Sequence, residues 1–110
     1  MATPEQFFEI DMRVGTVRRA EPFPEARKPS IRMWIDFGAE LGVKQSSAQL
    51  TLHYTPESLV GRRVVAAVNL GVRRIAGFES QVLVLGACPE PHDVVLLAVD
   101  QPVPDGTRIA

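Results

Sequence analysis

Two adjacent arginines, Arg73 and Arg74, precede a glycine turn between two strongly apolar segments. Phe78 follows the turn, and Asn69 and Ser80 flank the stretch. Guanidinium groups bind phosphate or stack on bases, aromatic rings stack, and small polar side chains reach base edges. This combination predicts a nucleic-acid-binding loop between two strands. The alternative is that both arginines are solvated loop charges and that Phe78 only pins the loop to the core.

The other reactive side chains do not form a pattern for catalysis or metal binding. His53 and His92 have no cysteine at a ligand spacing, and no pair of carboxylates is spaced for acid–base work. The single cysteine, Cys88, excludes an internal disulfide, and its place at the end of an apolar run predicts a buried, inert thiol. We therefore expect no enzyme activity, no cofactor and no metal.

The charge balance limits how nucleic acid could be bound. The 110 residues include 12 basic and 13 acidic side chains, so no long-range basic field draws nucleic acid to the surface. Any RNA contact must come from a local patch and must weaken with salt. The length suits one domain, residues 1–110. Without a signal-peptide pattern or a long apolar segment, we expect a cytoplasmic protein with no integral membrane segment.

Short strands separated by turns must position these residues. Residues 31–37 alternate apolar and polar side chains, which is typical of a half-buried strand. Further strands are predicted at residues 12–20, 41–43, 62–69, 81–88 and 94–99, with a bulge or bend at Gly15 and a last short strand at 108–109. The polar residues 44–49 are expected to follow a strand.

Two helical turns carry clear start signals. Thr3-Pro4 with Gln6 forms a capping box, and Thr55-Pro56 repeats the cap with Gly61 at the end. No alternation of strands and helices is present, so a parallel sheet is not expected. The pattern predicts an all-β protein: a small OB-fold Greek-key barrel with short helical turns and N- and C-terminal extensions.

Several motifs follow the order and spacing of a known family over nearly the whole chain. They are Asp11-Met12-Arg13-Val14-Gly15, Phe23-Pro24-Glu25-Ala26, Ile35-Asp36-Phe37-Gly38, Val68-Asn69-Leu70 and Gly77-Phe78-Glu79-Ser80. With these motifs the chain resembles the tRNA-binding domain appended to some methionyl- and phenylalanyl-tRNA synthetases. Residues 44–49, 73–78 and 100–107 are similar to a free-standing chaperone branch of that family, associated with protein export in bacteria.

The resemblance implies an OB-fold homodimer without cofactor or reaction, sealed by the terminal extensions. The implied dimer interface consists of Phe7, Phe8, Pro102, Val103 and Pro104. It also implies two kinds of ligand: structured RNA of the tRNA type, and unfolded or precursor polypeptides, with the export machinery as a further partner. Asn69, Arg73, Ser80 and Val82 fall where the tRNA-binding relatives place their RNA contacts, although those relatives often have methionine in place of Val82.

Two hypotheses from different classes follow. A polypeptide-binding chaperone would use the aromatic residues Phe23, Trp34 and Phe78 as a groove, and the near-neutral charge favours it. An RNA-binding module is favoured by the OB-type surface. Its candidate contacts are Lys44, Gln45, Asn69, Arg73, Arg74, Ser80 and Val82. Two alternatives stay open: Trp34 packs under a loop or at the dimer seam, and the chain is a structural dimerisation module.

Overall fold

The computed structural model describes residues 1–110, which form three short helices and nine strands. The helices are α1 (Pro4–Phe8), α2 (Gly38–Leu41) and α3 (Pro56–Leu59). The strands are β1 (Met12–Pro22), β2 (Ile31–Asp36), β3 (Val43–Ala48), β4 (Arg63–Ala67), β5 (Arg73–Ile75), β6 (Phe78–Ser80), β7 (Leu83–Val84), β8 (Gly86–Glu90) and β9 (Asp93–Leu96). The predicted all-β class with short helical turns is confirmed. None of the helices has the length and apolar character needed to cross a membrane.

Five of the strands form one antiparallel sheet in the order β3-β2-β1-β4-β7, and β5-β6 and β8-β9 are two-stranded hairpins. The long strand β1 pairs with β4 through its first half and with β2 through its second half. Before β7 joins β4, the chain runs beside the free edge of β3, where the Gln81 N–H donates to the Gln45 carbonyl at 2.8 Å. The sheet therefore nearly closes on itself, and this closed strand order is that of the predicted OB-fold.

The core lies inside this barrel and is built from alternating strand residues. Ile31, Met33 and Ile35 of β2 are fully buried, while the residues between them are half-buried. Val17 of β1 and Val64 of β4 belong to the same cluster. The alternation predicted for residues 31–37 is confirmed, because successive side chains of a strand point to opposite faces.

Gly15 has a different role from the one predicted. A Cβ atom at this position would lie 2.6 Å from Ile35 Cγ2 and 2.8 Å from the Phe37 ring, so the glycine makes room for core packing. The register shift between β1 and β2 falls instead between Val17 and Arg19. The predicted bulge exists, but two residues further along β1, where the strand leaves the core and bends around the barrel.

Both predicted helix caps are confirmed. The Thr3 hydroxyl accepts from the Gln6 N–H at 3.2 Å, and Gln6 Oε1 accepts from the Thr3 N–H at 2.8 Å. Thr55 and Ser58 form the same reciprocal pair at the start of α3. Both helices are too short to be stable alone, and these bonds satisfy backbone donors that would otherwise have no partner.

Residues 44–49 do not follow a strand, since all but the last belong to β3. Their polar side chains are accommodated because the chain after β6 supplies partners; the Ser46 hydroxyl, for example, donates to the Val82 carbonyl at 2.9 Å. The predicted strand 81–88 is divided into β7 and β8 at Leu85, whose N–H donates to the Val65 carbonyl. Cys88 lies exposed on β8, so the expected buried thiol is wrong.

The C-terminal extension docks beside the first half of β1. The Gly106 N–H donates to the Val14 carbonyl at 2.7 Å, and the Val14 N–H donates to the Thr107 carbonyl at 3.0 Å. The predicted strand at 108–109 is reduced to one isolated bridge between Arg108 and Arg13. We call the contact between this extension and β1 the tail-docking seam.

Candidate nucleic-acid interface

The two adjacent arginines lie on the β5–β6 hairpin. Its turn residues Ala76 and Gly77 both have positive φ angles, 48° and 82°, as a tight two-residue hairpin turn requires. Arg74 pairs in register with Glu79 of β6. Arg73 and Arg74 are successive strand residues that point in opposite directions, and both are exposed. The hairpin therefore presents two guanidinium groups to solvent.

These two arginines differ in what holds them. Arg74 Nη2 lies 2.7 Å from Glu79 Oε1, and the Arg74 side chain is 70 % exposed. Arg73 has no ion pair or side-chain hydrogen bond, and neither has Lys44 at the start of β3. A pair as exposed as Arg74–Glu79 stabilises the fold little, so Arg74 can leave Glu79 for a phosphate at small cost. The free positive charge of the hairpin thus comes from Arg73 and Arg74. Lys44 is half-buried and pairs with the inward-facing Ile35, so its side chain lies on the face of β3 opposite to that of Gln45.

Two of the predicted RNA contacts are buried and already have partners. The Ser80 hydroxyl accepts from the Ser47 N–H at 3.1 Å, and the Val82 carbonyl accepts from the Ser46 hydroxyl. Both Ser80 and Val82 are less than a tenth exposed. In this structure they attach the hairpin and the following segment to β3, and they close the barrel.

Gln45 and Asn69 are occupied in a similar way. The Gln45 side chain accepts from Trp34 Nε1 at 3.2 Å and donates to the Glu79 carbonyl at 2.8 Å. Asn69 accepts from the Asp11 N–H and donates to the Glu9 carbonyl, each at 2.8 Å, and so joins the end of β4 to the start of β1. Their side chains orient the hairpin and the N-terminal extension.

The three aromatic residues of the predicted groove lie together. The Phe78 ring packs edge-on against Phe23 and Trp34, with centroid distances of 5.5 and 5.9 Å. Phe23 is only 3 % exposed, because the hairpin covers it. Trp34 and Phe78 are half-buried, so they alone contribute aromatic surface. The three rings therefore form one aromatic cluster between the hairpin and β2, with Phe23 as its buried member.

Two further arginines belong to this surface and were not singled out from the sequence. The guanidinium carbon of Arg19 lies 4.5 Å from the centroid of the Trp34 ring, and that of Arg32 lies 5.0 Å from the Phe23 ring. Both arginines contact the carboxylate of Glu21. No local sequence signal marks them, because Arg19 comes to lie opposite Trp34 only through the register shift between β1 and β2.

The predicted dimer residues fall into two exposed groups. The Phe7 and Phe8 rings pack edge-on at 5.2 Å and are 42 % and 46 % exposed. Val103 lies near the start of β4, because its carbonyl accepts from Arg63 at 2.6 Å, whereas Asn69 holds the end of α1 near the other end of β4. Pro102 and Pro104 flank Val103 and are exposed. The structure places the two groups at opposite ends of that strand.

The histidines do not form a metal centre. His53 contacts the carboxylate of Asp93, and no three His, Cys, Asp or Glu side chains lie together in a way that could hold a metal ion. The contact joins the β8–β9 hairpin to the segment before α3. In the same contact region the Leu96 N–H donates to the Tyr54 hydroxyl at 3.0 Å.

A nearly closed barrel with an arginine-bearing hairpin over its outer face defines a small OB-fold binding domain. The family model described as "Putative tRNA binding domain" matches residues 12–108, and the chain belongs to this family. The match includes the hairpin, the aromatic cluster and most of the tail-docking seam.

Full-length similarity is found with two solved CsaA chaperones. The chaperone from Bacillus anthracis is 56 % identical with a TM-score of 0.95, covering 100 % of this chain and 99 % of that one. The chaperone from Picrophilus torridus is 40 % identical with a TM-score of 0.91, and the match covers both chains completely. The methionine–tRNA ligase of Thermotoga maritima is 35 % identical over 108 residues, and the chain spans only 16 % of its length.

Proposed function

We propose that the chain is a CsaA-like chaperone that binds unfolded or precursor polypeptides as a homodimer. The observation that carries this proposal is the 56 % identity with a CsaA chaperone along 99 % of that protein's length. On this proposal, residues 1–110 act as one cytoplasmic OB-fold domain without catalytic activity, and the export machinery is a further partner.

The distribution of apolar side chains supports the dimer. Phe7, Phe8 and Ile10 are exposed at the N-terminal extension, and Leu70 and Val72 are exposed beyond Asn69, which is bonded to the same extension. Contiguous exposed apolar side chains are typical of association surfaces. A second copy would cover them and leave the half-buried Phe78 accessible to an extended polypeptide.

Suppression of aggregation tests the chaperone proposal. A chemically unfolded enzyme is diluted with and without the protein, and light scattering is followed. We expect scattering to fall as the protein approaches a stoichiometric amount, and this effect to persist at high salt because apolar burial dominates it. Aggregation at an unchanged rate would contradict the chaperone function.

The dimer is tested separately by light scattering after gel filtration. We expect twice the chain mass of 12.1 kDa for the wild type. The double variant Phe7→Ser, Phe8→Ser should shift toward the monomer, because serine removes the apolar surface that association would bury. Leu52→Ser is the matched control, since Leu52 is exposed but lies far along the chain from the N-terminal extension. An unchanged dimer in the double variant would place the interface elsewhere.

A second candidate function is binding of structured RNA of the tRNA type, favoured by the unpaired cations on the hairpin surface. The relevant groups on the hairpin are Arg73 and the weakly held Arg74, and Lys44 of β3 is a further cation without an ion-pair partner. Binding of tRNA should weaken steeply with salt, because each phosphate contact releases counterions. Binding isotherms at several salt concentrations check this. No binding even at low salt would remove RNA from the list of ligands.

A further inference from the structure

We propose that Arg19 and Trp34 form a stacking site for one unpaired nucleobase of a bound RNA. The inference rests on the second proposed function, RNA binding, and adds which part of the RNA is recognised. Arg73 and Arg74 would hold phosphates, whereas the Arg19–Trp34 pair would hold a base. The recognised RNA would then need a single-stranded segment at this position.

The indole of Trp34 is held in place on several sides. Its Nε1 donates to Gln45 Oε1, and Phe78 packs against it edge-on. Gln45 in turn donates to the Glu79 carbonyl of the hairpin. The ring therefore does not have to be ordered when a ligand arrives, which lowers the entropic cost of binding.

Arg19 covers the indole and remains accessible. Its guanidinium carbon lies 4.5 Å from the centre of the Trp34 ring, and its side chain is 63 % exposed. Glu21 fixes the group, since Arg19 Nε donates to Glu21 Oε2 at 2.8 Å. A planar guanidinium supported on one side by an aromatic ring presents a flat surface, and bases stack on such surfaces.

The charges favour a base over a phosphate at this point. Arg19 Nε and Nη2 both donate to the carboxylate of Glu21, so these donors are not available to a phosphate. A base needs no donor from Arg19, because it stacks on the face of the guanidinium. An aliphatic side chain of a polypeptide would gain little, because the charged Arg19 lies between the indole and solvent.

The site is continuous with the phosphate-binding surface. Phe78 packs against Trp34, and Arg73 lies on the same face of the hairpin as Phe78, because Arg73 pairs with Ser80 and residues two apart in a strand share a face. A strand with a phosphate on Arg73 can therefore place its next base on the stacked pair. Base–aromatic stacking combined with a cationic groove is how many OB-folds bind single strands.

Trp34 is the only tryptophan, so its fluorescence reports on this site directly. The protein is titrated with oligoadenylate of about eight nucleotides, a length within the usual site size of an OB-fold. The same oligonucleotide annealed to its complement serves as the paired control. We expect saturable quenching with the single strand and little change with the duplex.

Variants of Arg19 distinguish the contribution of stacking to RNA affinity from the contribution of charge. Arg19→Lys keeps the charge but loses the planar group, and Arg19→Ala loses both. Arg18→Ala is the matched control, because Arg18 is 56 % exposed and contacts only Asp36 and Asp105. Affinity is measured by anisotropy of a labelled oligonucleotide, and thermal melts check folding. Both Arg19 variants should bind about 5- to 30-fold more weakly, and Arg18→Ala within about twofold of wild type.

The salt dependence gives a second criterion. Arg19→Lys should leave the slope of log affinity against log salt unchanged, because no phosphate contact is lost. Wild-type affinity in Arg19→Lys, or an equal loss in Arg18→Ala, would overturn the stacking site. So would an indole signal that responds to an unfolded polypeptide and not to the oligonucleotide. If the wild type bound neither oligonucleotide nor tRNA, the RNA-binding function itself would fail, which is a distinguishable result.

Discussion

The tail-docking seam and the β5–β6 hairpin both carry arginines, but the surroundings of these arginines differ. Carboxylates and carbonyls hold the arginines at the seam, whereas the arginines of the hairpin are almost free. In the seam, Arg13 donates to Asp11 at 2.6 Å and to the Gly106 carbonyl at 3.1 Å. Arg63 donates to the Val103 carbonyl and lies 3.3 Å from Asp105. The hydrogen bond to Asp11 raises the pKa of Arg13 above its ordinary value. These cations are part of the fold.

On the hairpin, Arg73 has no partner and Arg74 has only the exposed carboxylate of Glu79. A guanidinium held by carboxylates and carbonyls stabilises structure, whereas an exposed one without such partners can exchange water for a phosphate. The comparison therefore separates structural from ligand-binding arginines by their neighbours. Four predictions test this separation, and we order them by the size of the expected effect.

The largest effect is expected for Gly106→Ala in the seam. Gly106 has φ 87°, and a Cβ there would lie 2.5 Å from the Phe37 carbonyl oxygen. Backbone strain and displacement of the tail together should cost about 3 kcal/mol of the free energy of unfolding. Gly77→Ala is the matched control, since Gly77 has φ 82° but open space around it, and should cost only about 1 kcal/mol. The free energy of unfolding is measured with urea for both variants. Equal losses would show that the close contact at Gly106 contributes no stability beyond the backbone conformation of the glycine.

The next effect is expected for Asp105→Ala. The carboxylate accepts from the Thr16 hydroxyl at 2.7 Å and lies 3.3 Å from Arg63 and 3.6 Å from Arg18. Its removal leaves partly buried donors without partners, and we expect the free energy of unfolding to fall by about 2 kcal/mol. Glu79→Ala on the hairpin should leave stability unchanged within error. A comparable loss in both variants would remove the contrast between the two regions.

The double variant Arg73→Ala, Arg74→Ala should bind tRNA about tenfold more weakly at about 0.1 M salt, with the fold intact. The slope of log affinity against log salt should fall by about 1.5 if both arginines contact phosphate. Arg62→Ala is the control, because Arg62 stacks on Tyr54 away from the hairpin. Unchanged tRNA affinity in the double variant would identify both arginines as solvated loop charges.

The smallest effect is expected for Glu79→Gln. Loss of the carboxylate frees Arg74 and removes a negative charge beside the phosphate path, so tRNA affinity should rise about two- to fivefold. Glu57→Gln, an exposed change in the first turn of α3, should have no effect on binding. Isotherms at low salt give the best resolution, since screening is weakest there. Weaker binding in Glu79→Gln would mean that the ion pair orients Arg74 for its ligand.

The amino-acid sequence by itself determined the features that depend on near neighbours along the chain. Alternation placed Ile31, Met33 and Ile35 in the core, because side chains two residues apart in a strand share a face. The caps at Thr3 and Thr55 could be predicted because the two residues that bond to each other are only three positions apart in the chain. The OB-fold class followed from the number and spacing of such strands.

Only the tertiary structure shows which polar side chains remain without hydrogen-bond partners and are therefore available to a ligand. Ser80 and Asn69 have the residue types of RNA contacts, yet their side chains bond to segments more than thirty residues away. Arg19 meets Trp34 only because the bulge in β1 shifts the register by one residue before that pair. A side chain's partner is set by which strand lies opposite and in which register, and a one-residue shift changes every such pair. The local pattern of apolar and polar residues does not indicate which strand lies opposite or in which register. The sequence therefore predicted the hairpin arginines but not the Arg19–Trp34 pair beside them.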